Sequence, residues 1–446
     1  MKQTGYRRPM GWVGFVARSL TIGVVACFTL ARYGFLRLFI LDDPDAVDHL
    51  RGRLVRGAMT SLGATFIKLG QVMSTRPDLF PPAFIAELRQ LQDKLPPFSG
   101  AAARAQIEEE LGRPVEQVFS DFEETPIAAA SVAQVHRGVL REGGVDVAVK
   151  VLRPDVREKT ERDGAILLAC ARAAEYLSEV ARHADLDGHA QEFLDGVLDQ
   201  TDLRIEAENY VLFRSNFSKD EHIRFPGVYA DASGASVMTM DLMRGSKVDE
   251  LGPEADTAAI ARRLRRAFLK MLFEDGFLHA DLHPGNMLVD DDGSIAIFDV
   301  GLAKKLTDEM LEYYIDFNKC LVIGSAPDFV QHLRRYHSYI EGTVDWDQLT
   351  IDVEEMVSLF RGKSASELEF GQMIERVFAV GRKYNVRPFT EMTLIMVGLV
   401  TAEGIGKQLA PEIDSFSEVA NYLLPILLSR GMMPSGPLPA HLLTGG

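Results

Sequence analysis

"HADLHPGN", residues 279–286, sets two histidines, an aspartate and an asparagine within eight positions, with a Pro-Gly turn inside. An apolar helical stretch leads into it. In "DTAAIARRLRRAFLKMLFEDG" (256–276), Ile260, Leu264, Phe268, Met271 and Leu272 fall on one helical face. Asp256 or Thr257 can cap its start, and Gly276 stands at its end. After the loop, "NMLV" and "SIAIFD" flank the turn "DDDG", which reads as a small hairpin. Asp281 therefore lies five residues before Asn286, and Asp299 thirteen after it. Magnesium prefers hard oxygen ligands, and Asn286 and Asp299 can offer them from opposite sides of such a hairpin. Asp281 would orient or deprotonate an attacking nucleophile.

Aspartate, asparagine and a second aspartate in this order resemble the catalytic loop and metal-binding turn of protein kinases. The upstream sequence carries a matching nucleotide side. "VDVAVKVL" (145–152) alternates Val145, Val147, Val149 and Val151 against Asp146, Ala148 and Lys150, the pattern of a half-buried strand with Lys150 turned away from the valines. Lys150 stands where a kinase strand lysine holds the α- and β-phosphates. A kinase glycine loop ends about fifteen residues before that lysine. Here the segment is "AAASVAQV" (128–135), with Ala128, Ala130 and Ala133 at the glycine positions. Alanine lacks glycine's freedom at positive φ, so the loop is expected to be stiffer and to hold phosphate differently. "QTDLRIEAENY" (200–210) offers Asp202, Glu206 and Glu208 as carboxylates for Lys150. Helices are expected near 160–182 and 187–217, and "SVMTMDLM" (236–243) reads as a strand.

Composition limits the remaining choices. The chain has 446 residues, 47% hydrophobic and 25% charged, enough for more than one core. A net charge of −16 argues against nucleic acid as a partner. Three dispersed cysteines fit a reducing compartment rather than a disulfide framework or thiolate zinc site. Residues 1–41 are different: they carry six basic residues and no acid, and they include "GWVGFVARSLTIGVVACFTLARYGFLRLFI". The longest uncharged run, Ser19–Ala31, is short of the roughly 20 residues of a spanning helix. Arg18 and Arg32, close to four turns apart, could share one face. The favoured reading is a basic amphipathic segment lying on an anionic membrane; a tilted span, a signal peptide and a helix packed on the protein's own core remain open.

Together these motifs resemble the UbiB/ADCK family of atypical kinase-like proteins, from about residue 60 to 305. The residues that carry the resemblance are "KLGQ" (68–71), "PIAAASVAQVH" (126–136), "VAVK" (147–150), "EAEN" (206–209), "HADLHPGN" and the D-x-G at Asp299. The resemblance implies an α+β, protein-kinase-like two-lobe fold with an added N-terminal helical extension and a largely helical C-lobe. The corresponding domains are a membrane-associating segment (1–41), the extension (42–125), the N-lobe (126–244) and the C-lobe (245–446). It implies Lys68 and Gln71 on a helix over the active site, beside Asp281 and Lys150. Of the three carboxylates, Glu206 is the partner of Lys150 that the family resemblance, carried in part by "EAEN", implies. It places the nucleotide against Ala128, Ala129, Ala130, Ser131, Val132, Ala133, Val135, Lys150, Glu206, Met240 and Leu242, and Mg2+ on Asn286 and Asp299. The implied activity is ATP hydrolysis supporting ubiquinone or other isoprenoid-lipid biosynthesis, with ATP, Mg2+, an anionic membrane, quinone-type lipid precursors and lipid-biosynthesis enzymes as partners. The active site is then expected on the cytoplasmic, ATP-containing side. Two positions depart from the family: Gln200 replaces the glutamate of an E-x-D motif that keeps Asp202, and Val300 replaces the phenylalanine of D-F-G. No A-P-E-type anchor follows Gly301, which argues against a regulated protein kinase. A small-molecule phosphotransferase of the aminoglycoside or choline kinase type shares the "HADLHPGN"-like loop and stays open as an alternative, as does a nucleotide-sensing scaffold without turnover.

Overall fold

A computed structural model describes residues 12–38, 43–74, 76, 80–91, 96–178, 186–323, 325–339, 341–358, 370–388, 390–412 and 415–431. The chain separates into two compact units. The first holds residues 1–75, 80–208 and 228–242; the second holds 76–79, 209–227 and 243–446.

The first unit is built on an antiparallel sheet. In spatial order its strands are Phe119–Phe122, Ala133–Leu140, Asp146–Leu152 and Val237–Asp241, and the short strand Ala128–Ala129 also pairs with Ala133–Leu140. Val147, Val149 and Val151 are fully buried and pack with Ala103, Ile107, Val115 and Phe119, so the helix Gly100–Leu111 covers their face. The strand is buried more deeply than its alternation suggests. It pairs on both edges, and Ala148, on the face away from the valines, is only 5% exposed.

Among the described residues, four helices precede Gly100–Leu111. Trp12–Arg37 lies against the cluster of Met59, Leu62 and Phe66 through Ile22 and Val25. Pro44–Leu62 and Pro82–Leu88 pack so closely at Gly52 that a Cβ there would sit 2.8 Å from the Phe84 carbonyl oxygen. Ala64–Ser74 carries "KLGQ". Arg18 does not join Arg32 on an outward basic face. Its guanidinium grips the buried carboxylate of Asp163 at 2.7 and 2.8 Å and donates to the Leu62 carbonyl, while Arg32 is exposed.

Beyond the sheet strand come the helices Val156–Leu177, Leu186–Asp199 and Leu203–Asn216. The single helix expected over 187–217 is interrupted at 200–202. There Thr201 Oγ1 bonds back to the Leu198 carbonyl and Asp202 accepts from the Arg204 N–H, the local side-chain bonding that ends one helix and starts another.

The second unit is mostly helical. Asp256 caps Thr257–Lys270 by accepting from the Ala259 N–H. The helix runs into a π-helical turn, Met271–Asp275, closed by Gly276 at φ +57°. Met287–Val289 and Ile295–Ile297 form the expected antiparallel hairpin, extended by Ile223–Arg224 and Ser246–Lys247 into a four-stranded sheet. Phe277–His279 pairs with Ala303–Lys305.

Candidate functional site

In the first unit, Lys150 Nζ lies 2.8 Å from both carboxylate oxygens of Glu206, with the two side chains 12% and 6% exposed. The register explains which other side chains share its face. Lys150 stands opposite Val135 on one neighbouring strand and Met238 on the other, and Ala148 stands opposite Met240. Directly opposed residues point to the same side of a sheet and alternate residues repeat it. Ala133, Val135, Lys150 and Met240 therefore share the face away from the valine core. Leu242, two residues past Met240, is half-buried.

The alanine segment is a tight hairpin. Ala128 pairs with Val135, Ala129 pairs with Gln134, and the Ala130 N–H donates to the Ala133 carbonyl at 2.8 Å. No residue from 128 to 135 has positive φ, so this turn needs none of glycine's freedom. Arg153 fastens its tip: its backbone N–H donates to Val132 and its Nε to the Ala130 carbonyl, at 2.8 and 2.9 Å. Ser131 is fully buried, and its hydroxyl has no partner among the described residues. Below the hairpin, buried His136 is fixed as the neutral Nδ1–H tautomer. Nδ1 donates to the Glu123 carbonyl and Nε2 accepts from Gln134, each at 2.8 Å, and burial lowers its pKa. Lys68 and Gln71 lie three apart on their helix, both half-buried. Gly70, between them, is a packing position, because a Cβ there would run into Leu91 and Met59.

In the second unit the loop's two histidines act on its own backbone. His279 is fully buried, which holds its pKa down; Nδ1 accepts from the Asp281 N–H at 3.2 Å and Nε2 faces the Phe298 carbonyl at 3.4 Å. His283 Nδ1 accepts from the Gly285 N–H at 3.1 Å and fixes the Pro284–Asn286 turn. Buried Asn286 uses its amide Nδ2 to donate to the Asp281 carbonyl at 3.1 Å, which leaves Oδ1 as its outward oxygen. The Phe298 N–H donates to the Asn286 carbonyl at 3.0 Å, extending the hairpin by a rung and setting Asp299 next to Asn286.

Asp299 itself adopts φ +57°, a strained conformation for a non-glycine residue. Two residues of "EAENY" hold it there. Tyr210 Oη accepts from the Asp299 N–H, and Asn209 Nδ2 donates to the Val300 carbonyl, both at 2.9 Å. The backbone is pinned while the Asp299 and Asp281 side chains stay exposed. Val300 is fully buried and fills the apolar place next to the aspartate. Asp202 is engaged locally: Arg204 grips it in a bidentate pair and holds its pKa below the usual carboxylate range. The positioning residues Arg153, Asn209 and Tyr210 were not picked out from the sequence; all three act through backbone atoms, which leaves little trace in spacing.

Within the second unit, Asn286 Oδ1 and the Asp299 carboxylate are hard oxygens on adjacent hairpin positions, the donor type that magnesium favours. Within the first unit, Lys150 is a cation fixed by a carboxylate.

Comparison with known proteins bears on the same regions. The ABC1 atypical kinase-like domain matches residues 90–332 and the UbiB helical domain matches 353–414. A "Probable protein kinase UbiB" from Aeromonas salmonicida is 33% identical over 385 residues, spanning 84% of this chain and 70% of that protein. Its counterpart in Vibrio cholerae is 34% identical over 405 residues, spanning 86% and 72%. Among solved structures, the complex of Rv3197 with erythromycin from Mycobacterium tuberculosis superposes with a TM-score of 0.50 at 20% identity, covering 77% of this chain and 91% of that one, a likeness of fold alone. With a kinase-like, two-lobe α+β fold, a domain match over more than half its length and curated relatives 33–34% identical over more than four-fifths of it, the chain belongs to the UbiB family of ABC1 atypical kinase-like proteins.

Proposed function

We propose that the protein is a membrane-associated ATPase of this family that binds Mg-ATP and supports isoprenoid-lipid biosynthesis, of which ubiquinone synthesis is the instance the family resemblance implies. The observation that carries the reading is Asp299, held at positive φ by Tyr210 and Asn209 with its carboxylate exposed beside Asn286. Strain of this kind costs of order 1–3 kcal/mol and concentrates at functional sites. In the proposed mechanism Lys150, oriented by Glu206, binds the phosphates, and the hairpin of residues 128–135 covers them. Asn286 and Asp299 hold magnesium, which neutralises phosphate charge when bound. Asp281, its backbone fixed by His279, orients the nucleophile, and Lys68 and Gln71 are the helical residues assigned to restrict access. A rigid alanine hairpin and a missing A-P-E anchor favour water over a protein hydroxyl as acceptor.

The membrane reading is supported by the N-terminal helix. Gly14–Arg37 has a mean hydropathy of 1.7 and is long and apolar enough to cross a bilayer. Yet Ile22 and Val25 pack on the protein and Arg18 is tied to Asp163, while Leu20, Val24, Phe28, Leu30 and Phe35 are each more than 60% exposed. One covered face and one bare apolar face suit a helix lying in the interface. The proposed orientation puts the catalytic residues on the cytoplasmic side, where ATP is.

ATP turnover by Asp299→Asn, with and without anionic liposomes, tests the site: hydrolysis should fall to background, and wild-type turnover would refute the metal assignment. Following phosphate to water or to an added alcohol in the same assay separates an ATPase from a small-molecule phosphotransferase. Nucleotide binding with no turnover in the wild type would point to a scaffold.

A further inference from the structure

Two helices of the second unit, Asp308–Ile323 and Ala326–Tyr336, bring together an aspartate, a cysteine and a histidine that the phosphate chemistry does not use. Asp316 and Cys320 are four residues apart and so share one helical face. His332 comes from the second helix, whose start is fixed by a capping box between Ser325 and Asp328. One ligand-type atom from each of the three side chains lies within 4.8 Å of the other two. His332 Nδ1 is 3.0 Å from Asp316 Oδ2. His332 is 1% exposed and Cys320 7%, while the Asp316 side chain keeps 18% of its surface open to solvent.

We propose that Asp316, Cys320 and His332 form a site for a borderline-soft divalent metal of the zinc class, with solvent in the fourth position. One oxygen, one sulfur and one imidazole nitrogen are the donor set that such ions favour over magnesium or calcium. Three protein ligands leave one position open, and the exposed edge of Asp316 gives the ion a way in. One feature of the cluster points to a cation, and binding would require the Cys320 thiol to give up its proton to solvent. With Nδ1–H donated to Asp316, the Nε2 of His332 keeps a buried lone pair with no partner among the described residues. The imidazole ring sits among the rings of Tyr313, Phe317 and Tyr336, at centroid separations of 4.7, 5.6 and 5.0 Å. Metal on Nδ1 moves the imidazole proton to Nε2, which then offers the rings a weak N–H donor instead of a lone pair. Binding thus releases one proton, from Sγ, and shifts another within the imidazole. Among the described residues, the other charges facing the cluster are Lys319, 3.8 Å from Asp316, Arg335, which pairs with Glu312, and Asp328 near Cys320.

The full-length protein, stripped with a chelator and held in saturating Mg2+, is titrated with Co2+ and then with Zn2+. The wild type should develop a thiolate-to-cobalt charge-transfer band in the near ultraviolet at a single equivalent, and Zn2+ should bleach it. Cys320→Ser should abolish the band, whereas the Cys27→Ser/Cys170→Ser variant, which alters the two exposed thiols, should keep it. His332→Ala should weaken the titration by more than about 100-fold. Asp316→Asn, at a partly exposed position that tolerates change, should weaken it at least about tenfold. No band in the wild type, a band that survives Cys320→Ser, one lost with Cys27 and Cys170, or an unchanged Asp316→Asn titration would each overturn the proposal.

Discussion

Replacing Lys150 by methionine removes the cation facing Glu206 and leaves a carboxylate that is 6% exposed without its counter-charge. At 2.8 Å and an effective dielectric constant of about 20, the attraction lost is about 6 kcal/mol, partly offset because the lysine no longer has to be desolvated. Removing one member of a buried pair costs about 3–5 kcal/mol. Lys150→Met and Glu206→Leu should each destabilise the protein by that much. The double variant should return to within about 1 kcal/mol of the wild type, because two apolar side chains of similar size replace two buried ions. Urea unfolding followed by circular dichroism measures all four proteins. ATP binding separates stability from function. Both variants lacking Lys150 should bind ATP about 10- to 100-fold more weakly, the value of a charge-assisted hydrogen bond, whether stability is restored or not. If the double variant loses the sum of the two single effects, the ions are not coupled. If the restored double variant binds ATP as the wild type does, Lys150 does not hold phosphate.

Ala130→Gly should loosen the alanine hairpin by about 0.5–1 kcal/mol and change ATP affinity or the ADP/ATP preference about two- to fivefold; an unchanged binding profile would remove this turn from the phosphates. Leu20→Glu with Phe28→Glu, both on the exposed face of the N-terminal helix, should weaken co-sedimentation with anionic liposomes about 100-fold while the urea midpoint stays put, and undiminished sedimentation would move the membrane contact elsewhere, for example to "YLLPILL" at 422–428. Stability should fall as pH drops below 6.5. Burial lowers His337 to about 3, so between those values the unfolded chain takes up a proton that the folded chain refuses, and the loss is about 1.4 kcal/mol at pH 5.5 and absent above the window. His136, pinned neutral by Glu123 and Gln134, adds in the same direction; equal urea midpoints at pH 7.5 and 5.5 would contradict both assignments.

What the sequence made legible was chemistry with a local signature. The hairpin, the cap at Asp256, the opposition of Asn286 and Asp299 and the face on which Lys150 lies follow from periods of 2 and 3.6 and from turn residues. Glu206 was reached only through the resemblance, because a helical glutamate carries no mark of the lysine 56 positions away that will pair with it. Arg18 and Asp163, 145 positions apart, left no mark at all; charge and spacing put Arg18 with the lipid, and only the tertiary packing shows that Asp163 takes it. The central strand was underestimated for a related reason. Alternation reports one buried face, and what covers the other depends on which strands pair at its edges.

The motifs also mix two kinds of constraint that a string of letters does not separate. In "KLGQ", Gly70 is there because Leu91 and Met59 occupy the space of a side chain, whereas Lys68 and Gln71 stay half-exposed. In "EAENY", Glu206 faces Lys150, while Asn209 and Tyr210 bind backbone atoms of the turn at Asp299. One helix, Leu203–Asn216, thus carries the carboxylate that orients the lysine and, a turn later, the two groups that hold an aspartate in a left-handed conformation. Neither role survives a shift of the helix by one residue, since a rotation of about 100° would turn all three side chains away. The break at 200–202, where Thr201 and Asp202 divert the backbone, is what sets that register: it starts a new helix at Leu203 and fixes which face carries Glu206. Asp202 therefore has a sufficient physical role as the residue that begins this helix, and Gln200 in place of a glutamate leaves that role untouched.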